Sequence, residues 1–169
     1  MTETWLNDDF SDSELQLDGY NIFRFDRANR RGDGVLLAIN SRLSCIRRYD
    51  LEIEGVEMLV GEIHTSGSRC LIFSVFYRPL NAHEAFLDGF RTFLRRFNGI
   101  GISDLIITGD FNFPHIDWST VSPTNLDTQA EYFCDILNDS FLIQMNGFVT
   151  RPSSTTNHSS GKYTGPCIN

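Results

Sequence analysis

The sequence has no excess of basic charge: Lys and Arg number 14 against 22 Asp and Glu, a formal net charge of −8. A chain of that sign is repelled on average by phosphate backbones, which excludes a simple electrostatic clamp for nucleic acid. No apolar run approaches the ~18 residues of a membrane span. The opening residues Met1-Thr2-Glu3-Thr4-Trp5-Leu6 carry neither the basic nor the apolar stretch of a secretory signal. The expectation is therefore an intracellular protein. Cysteine occurs at Cys45, Cys70, Cys134 and Cys167 without any C-x-x-C pair, and zinc knuckles need closely spaced ligands. The thiols read as free and buried among neighbours such as Leu71, Ile72 and Phe73. His64, His83 and His115 share no ligand spacing and read as surface or capping residues.

What is present is enough apolar residue, 41% of 169, to build one packed domain. Short apolar runs at Tyr20 to Phe25, Gly34 to Ile39, Val56 to His64, Cys70 to Tyr77 and Leu105 to Ile107 predict strands, with Phe141 to Ile143 a weaker one. Between Asn81 and Phe97 the residues Phe86, Leu87, Phe90, Phe93, Leu94 and Phe97 fall on one helical stripe. Asn81 and Glu84 resemble a capping box there, and Gly99 suits a stop. A second helix is expected over Thr128 to Leu137, with Ala130, Phe133, Cys134 and Leu137 inward. Strands in series with interspersed helices indicate a mixed α/β or α+β domain. Residues 153–169 are Ser, Thr, Asn, Gly and Pro with few apolar groups, and are expected to be a disordered tail.

The most informative stretch is Asp104 to Pro114. A buried strand runs into Gly109 and then presents Asp110 and Asn112, which extended backbone would point to one side, with Phe111 turned into the core. A carboxylate that accepts a proton from water, beside an amide that donates to a phosphate oxygen, suits phosphoryl chemistry. By spacing alone the same residues read more readily as an Asp/Asn turn after a strand.

Gly109-Asp110-Phe111-Asn112, followed by Pro114 and Ile116-Asp117-Trp118, resembles the signature of the endonuclease/exonuclease/phosphatase superfamily. More narrowly, it looks like the apurinic-type endonuclease domain of LINE-type (non-LTR) retrotransposons. Glu3-Thr4-Trp5-Leu6, then Gly19-Tyr20, Phe25-Asp26-Arg27 and Gly32-Asp33-Gly34-Val35-Leu36-Leu37 are similar to elements of that branch. So are Val75-Phe76-Tyr77-Arg78-Pro79 and Asn146 to Pro152, in the same order.

The resemblance implies a four-layer α/β/β/α sandwich over residues 1–152 and a Mg²⁺- or Mn²⁺-dependent DNA endonuclease that nicks target DNA. On that reading Glu3 binds the metal, and Tyr77 contacts the scissile phosphate. Asp110 positions and deprotonates water, and Asn112 steadies the transition state. Arg27, in the densest basic patch, reads equally as a DNA contact or as part of a solvated loop. The resemblance further implies a reverse transcriptase domain in a full polyprotein, and action in the nucleus. The family's first-strand asparagine and its terminal Ser-Asp-His have no counterpart among these 169 residues, so a domain truncated at both ends is expected. Two other readings remain: a non-catalytic remnant, and a superfamily phosphatase acting on a small phosphorylated substrate.

Overall fold

The computed structural model describes residues 1–6, 10–11, 13–26, 34–65, 69–80, 82 and 84–145. The expected tail 153–169, the Asn146 to Pro152 element, Arg27, His83 and the capping residue Asn81 lie outside the described residues.

The central element is a sheet ordered β3-β4-β5-β6. Its strands are β3 (Ser44–Arg47), β4 (Glu57–His64), β5 (Cys70–Tyr77) and β6 (Asp104–Asp110). β3, β4 and β5 are antiparallel, whereas β5 and β6 run parallel with α1 (Glu84–Gly99) as the crossover. A parallel pair needs a crossover of this kind, which returns the chain to the same end of the sheet. β1 (Tyr20–Phe25) and β2 (Val35–Asn40) form a separate antiparallel pair. A short ladder joins β7 (Ile116–Asp117) and β8 (Ser122–Pro123), and α2 (Thr128–Asp139) follows.

Alternation along β4 and β5 feeds two cores. Met58, Val60, Ile72 and Phe76 face the helices and meet Phe86, Phe90, Phe93 and Phe133. Leu59, Ile63, Val75 and Tyr77 face the other way and meet Val35, Leu37 and Ile39 of β2. The described residues thus stack as helices, sheet and second sheet, three layers of the expected sandwich. The helix-side core is aromatic: Phe76 lies edge-on to Phe90 and Phe93 with ring centroids 5.2 Å away in each case. Phe90 and Phe93 are fully buried, each worth about 1.5–3 kcal/mol of transfer free energy.

The helix stripes fall where the 3.6 period puts them, and Asp127 caps α2 by accepting from the Gln129 and Ala130 N–H groups. In α2 the deeply buried fourth residue is Ile136, with Leu137 half-buried. Two expectations need correction. Phe141 to Ile143 is no strand: Phe141 is 91% exposed at φ 54°, and its N–H donates to Asn138 O in the unwinding end of α2. The thiols are not uniformly buried, since Cys134 is buried but Cys45 and Cys70 are half-exposed. No helix among the described residues is long and apolar enough to cross a membrane.

Candidate active site at the ends of β5 and β6

Tyr77 and Asp110 end neighbouring parallel strands and are register partners. Glu57 opens β4 as the partner of Tyr77 on its other side. Residues directly opposite one another share a face, so Glu57, Tyr77 and Asp110 form a row across three strands, on the side turned toward β2. Tyr77 and Glu57 are buried and Asp110 is half-buried.

The close approach of β6 to β5 depends on Gly109. Its φ is 150°, and a Cβ there would lie 1.9 Å from the Phe76 carbonyl oxygen, so no side chain fits. The strand then stops. Asn112 sits in the left-handed region at φ 47°, and its N–H donates to Asp110 Oδ1 at 3.2 Å. Asp110 and Asn112 are therefore joined by a turn bond rather than by the extended alternation expected from their spacing. Phe111 turns into the helix-side core as expected, 5.3 Å from the Phe133 ring and 5.9 Å from Phe90.

Glu3 comes from a distant part of the chain. Residues 1–4 lie along β2: Thr2 bridges Val35, and Met1 and Leu36 exchange N–H···O bonds of 2.9 Å each way. Gly34 admits this segment, because a Cβ at its φ of 89° would sit 2.8 Å from Thr4 Oγ1. The result places Glu3 Oε1 3.2 Å from the Tyr77 hydroxyl, which donates to it. Glu3, Tyr77, Asp110 and Asn112 are thereby linked in one chain of contacts. Their oxygens, two carboxylates and a phenol, are the donor type that hard divalent cations take.

Two residues that motif reading passed over support this arrangement. Arg78 is buried, and its Nη1 donates to Asn112 O at 2.9 Å while Nη2 donates to Gln129 Oε1 at 2.8 Å. In return Asn112 Nδ2 donates to Arg78 O at 2.8 Å, and the guanidinium lies 4.0 Å from the Phe113 ring centroid. Burial pushes the Arg78 guanidinium below its ordinary pKa, a shift opposed by Asp127. The only sequence signal was its place between Tyr77 and Pro79. Glu57 was hidden as an acid opening an apolar strand; its Oε2 accepts the Gly34 N–H at 3.1 Å, tying the N-terminal entry to the sheet.

Residues 70–162, more than half of the chain, match the model of a family described as endonuclease-reverse transcriptase. The chain belongs to that family. Tyr77, Arg78, Asp110 and Asn112 of this endonuclease-reverse transcriptase family member fall inside the matched span, and Glu3 and Glu57 precede it. Among solved structures, the chain is similar to the endonuclease domain of TRAS1, a telomere-specific non-LTR retrotransposon, with a TM-score of 0.57 at 17% identity. That match covers 73% of this chain and 53% of the TRAS1 chain, so the chain spans about half the length of its solved relative. The fold is of the endonuclease/exonuclease/phosphatase type. No curated protein matches the sequence.

Proposed function

We propose that this chain is part of a metal-dependent DNA endonuclease domain that nicks a phosphodiester on behalf of a non-LTR retrotransposon, within a polyprotein that also carries reverse transcriptase and acts in the nucleus. The observation that carries the reading is the Tyr77 hydroxyl, which bonds Glu3 while its strand pairs with the strand ending in Asp110. The family description and the oxygen-only donor set support it.

On this reading Glu3 holds Mg²⁺ or Mn²⁺ and Asp110 takes the proton from the attacking water. A bound ion would supply charge neutralisation at the phosphate. Tyr77 orients Glu3 and, with its phenol, addresses the phosphate. Asn112 already spends its Nδ2 on Arg78 O, so its service to the phosphate falls to the remaining N–H or to a rearranged loop. The net charge of −8 calls for affinity from elsewhere in the polyprotein, where a linked basic module would raise the effective concentration on DNA.

The test is supercoiled-plasmid nicking with and without Mg²⁺, with Asp110→Ala as the control. Mg²⁺-dependent nicking by the parent and its loss in the variant support the assignment. Equal Mg²⁺-dependent nicking by both removes Asp110 from the chemistry, and inactivity of both favours the non-catalytic remnant.

A further inference from the structure

His64 has no ligand at metal-site spacing in the sequence, but the sheet supplies its partners across strands. Glu62 and His64 alternate on one face of β4, and His64 pairs in register with Cys70 of β5. The imidazole is close to both: Nδ1 is 3.3 Å from Cys70 Sγ, and Nε2 is 3.4 Å from Glu62 Oε1. One donor atom from each of the three residues lies within 4.8 Å of the other two, the one such group of His, Cys, Asp or Glu among the described residues.

This cluster is independent of the candidate nuclease site. Cys70 begins β5 and Tyr77 ends it, and at ~3.3 Å per residue the two are about 23 Å apart along the strand. Cys70 also shares its face with Ile72 and Phe76, toward the helices, whereas Tyr77 faces β2. The donor sets differ in kind: oxygens at Glu3, Tyr77 and Asp110, against one nitrogen, one sulfur and one oxygen here. A mixed set with a thiolate and an imidazole selects a borderline-soft ion.

We propose that Glu62, His64 and Cys70 bind a zinc ion that clips β4 to β5 at the end of the sheet remote from the nuclease site. Tetrahedral zinc with its usual bond lengths sets a nitrogen and a sulfur ligand about 3.6 Å apart, close to the 3.3 Å found between His64 Nδ1 and Cys70 Sγ. On binding, the Cys70 thiol releases its proton to solvent and the sulfur becomes a ligand. The His64 side chain is 44% exposed, which leaves a fourth position open to water. Arg48, itself bonded to Asp50 through Nε at 2.8 Å and Nη2 at 2.7 Å, also bonds Glu62 Oε2 and so turns Oε1 toward the histidine. Such outer partners are how ligating carboxylates are held in place.

The test uses the full chain, reduced and stripped of metal, titrated with Co²⁺ as a spectroscopic stand-in and then with Zn²⁺. The expected result is a sulfur-to-cobalt charge-transfer band that saturates at one ion per chain and is discharged by Zn²⁺. It should be absent in Cys70→Ser, at least tenfold weaker in affinity in His64→Ala, and unchanged in Cys45→Ser and Asp110→Ala. Zinc should also raise the melting temperature of the parent chain and not of Cys70→Ser, with circular dichroism showing that variant folded. No charge-transfer band in the parent, or a band that survives in Cys70→Ser, overturns the proposal. Loss of nicking in Asp110→Ala with the cobalt band intact separates this site from the nuclease assignment.

Discussion

Arg78 and Asn112 hold each other by crossed side-chain-to-backbone bonds: the guanidinium donates to the asparagine carbonyl at 2.9 Å, and the asparagine amide donates to the arginine carbonyl at 2.8 Å. The Arg78 N–H also donates to Asp110 O at 2.8 Å, so the segment leaving β5 and the turn leaving β6 are fixed as one unit. The arrangement gives partners to carbonyls that would otherwise end two strands unpaired, and it puts Asn112 into a conformation asparagine tolerates better than most residues.

Arg78→Lys should destabilise the chain by about 2–3 kcal/mol, because a single ammonium cannot serve Asn112 O and Gln129 Oε1 together while stacking on Phe113. Urea unfolding measures the loss. Wild-type stability in the lysine variant would mean that the fork geometry is dispensable.

Tyr77→Phe keeps the buried ring and removes the donation to Glu3. The expected cost in stability is about 1 kcal/mol. If Tyr77 serves the scission step, the plasmid-nicking rate should fall by roughly 10²–10³, the usual effect of deleting one transition-state donor. Unaltered nicking would reduce Tyr77 to a packing residue.

Gly109→Ala should be among the most damaging single methyl additions, since the new carbon would overlap Phe76 O and force β6 away from β5. A loss of about 3 kcal/mol or more is expected. Gly99→Ala is the natural control: nothing lies within 4 Å of a Cβ there, so it should be neutral or stabilise by about 0.4–1 kcal/mol. Thermal melts of the two variants side by side give the comparison, and similar melting temperatures would refute the close approach.

Phe90→Ala should cost about 3–5 kcal/mol, as expected for emptying a fully buried ring position. Phe141→Ala, at a ring that is 91% exposed, should change stability by no more than about 0.5 kcal/mol. Chemical denaturation resolves a gap of that size easily.

Much of this is legible in the sequence, for a physical reason. β5, α1 and α2 carry unbroken apolar periods because each buries one face or more, and their burial follows those periods closely. The short ladders left no such trace. β3 reads Ser44-Cys45-Ile46-Arg47 with its side chains partly in solvent, and β7 and β8 are two residues each, too brief for any period. Phe141 to Ile143 looked like a strand because apolar residues cluster there, but no neighbouring strand receives them among the described residues. For the candidate site, Asp110 and Asn112 could be found from adjacent positions, and Glu3 and Tyr77 only through a resemblance. Arg78, Glu57 and the Glu62–His64–Cys70 group depend on cross-strand register, which spacing along the chain does not encode.

The bond between Glu3 and Tyr77 joins residues 74 apart in the chain, which fixes an order of events during translation. Glu3 leaves the ribosome well before its partners, and Asp110 trails it by roughly 5–20 s at ordinary elongation rates. Until β6 has been made and slotted beside β5, the acidic groups stay apart. The nascent polypeptide therefore carries the candidate site unassembled until these distant segments have met.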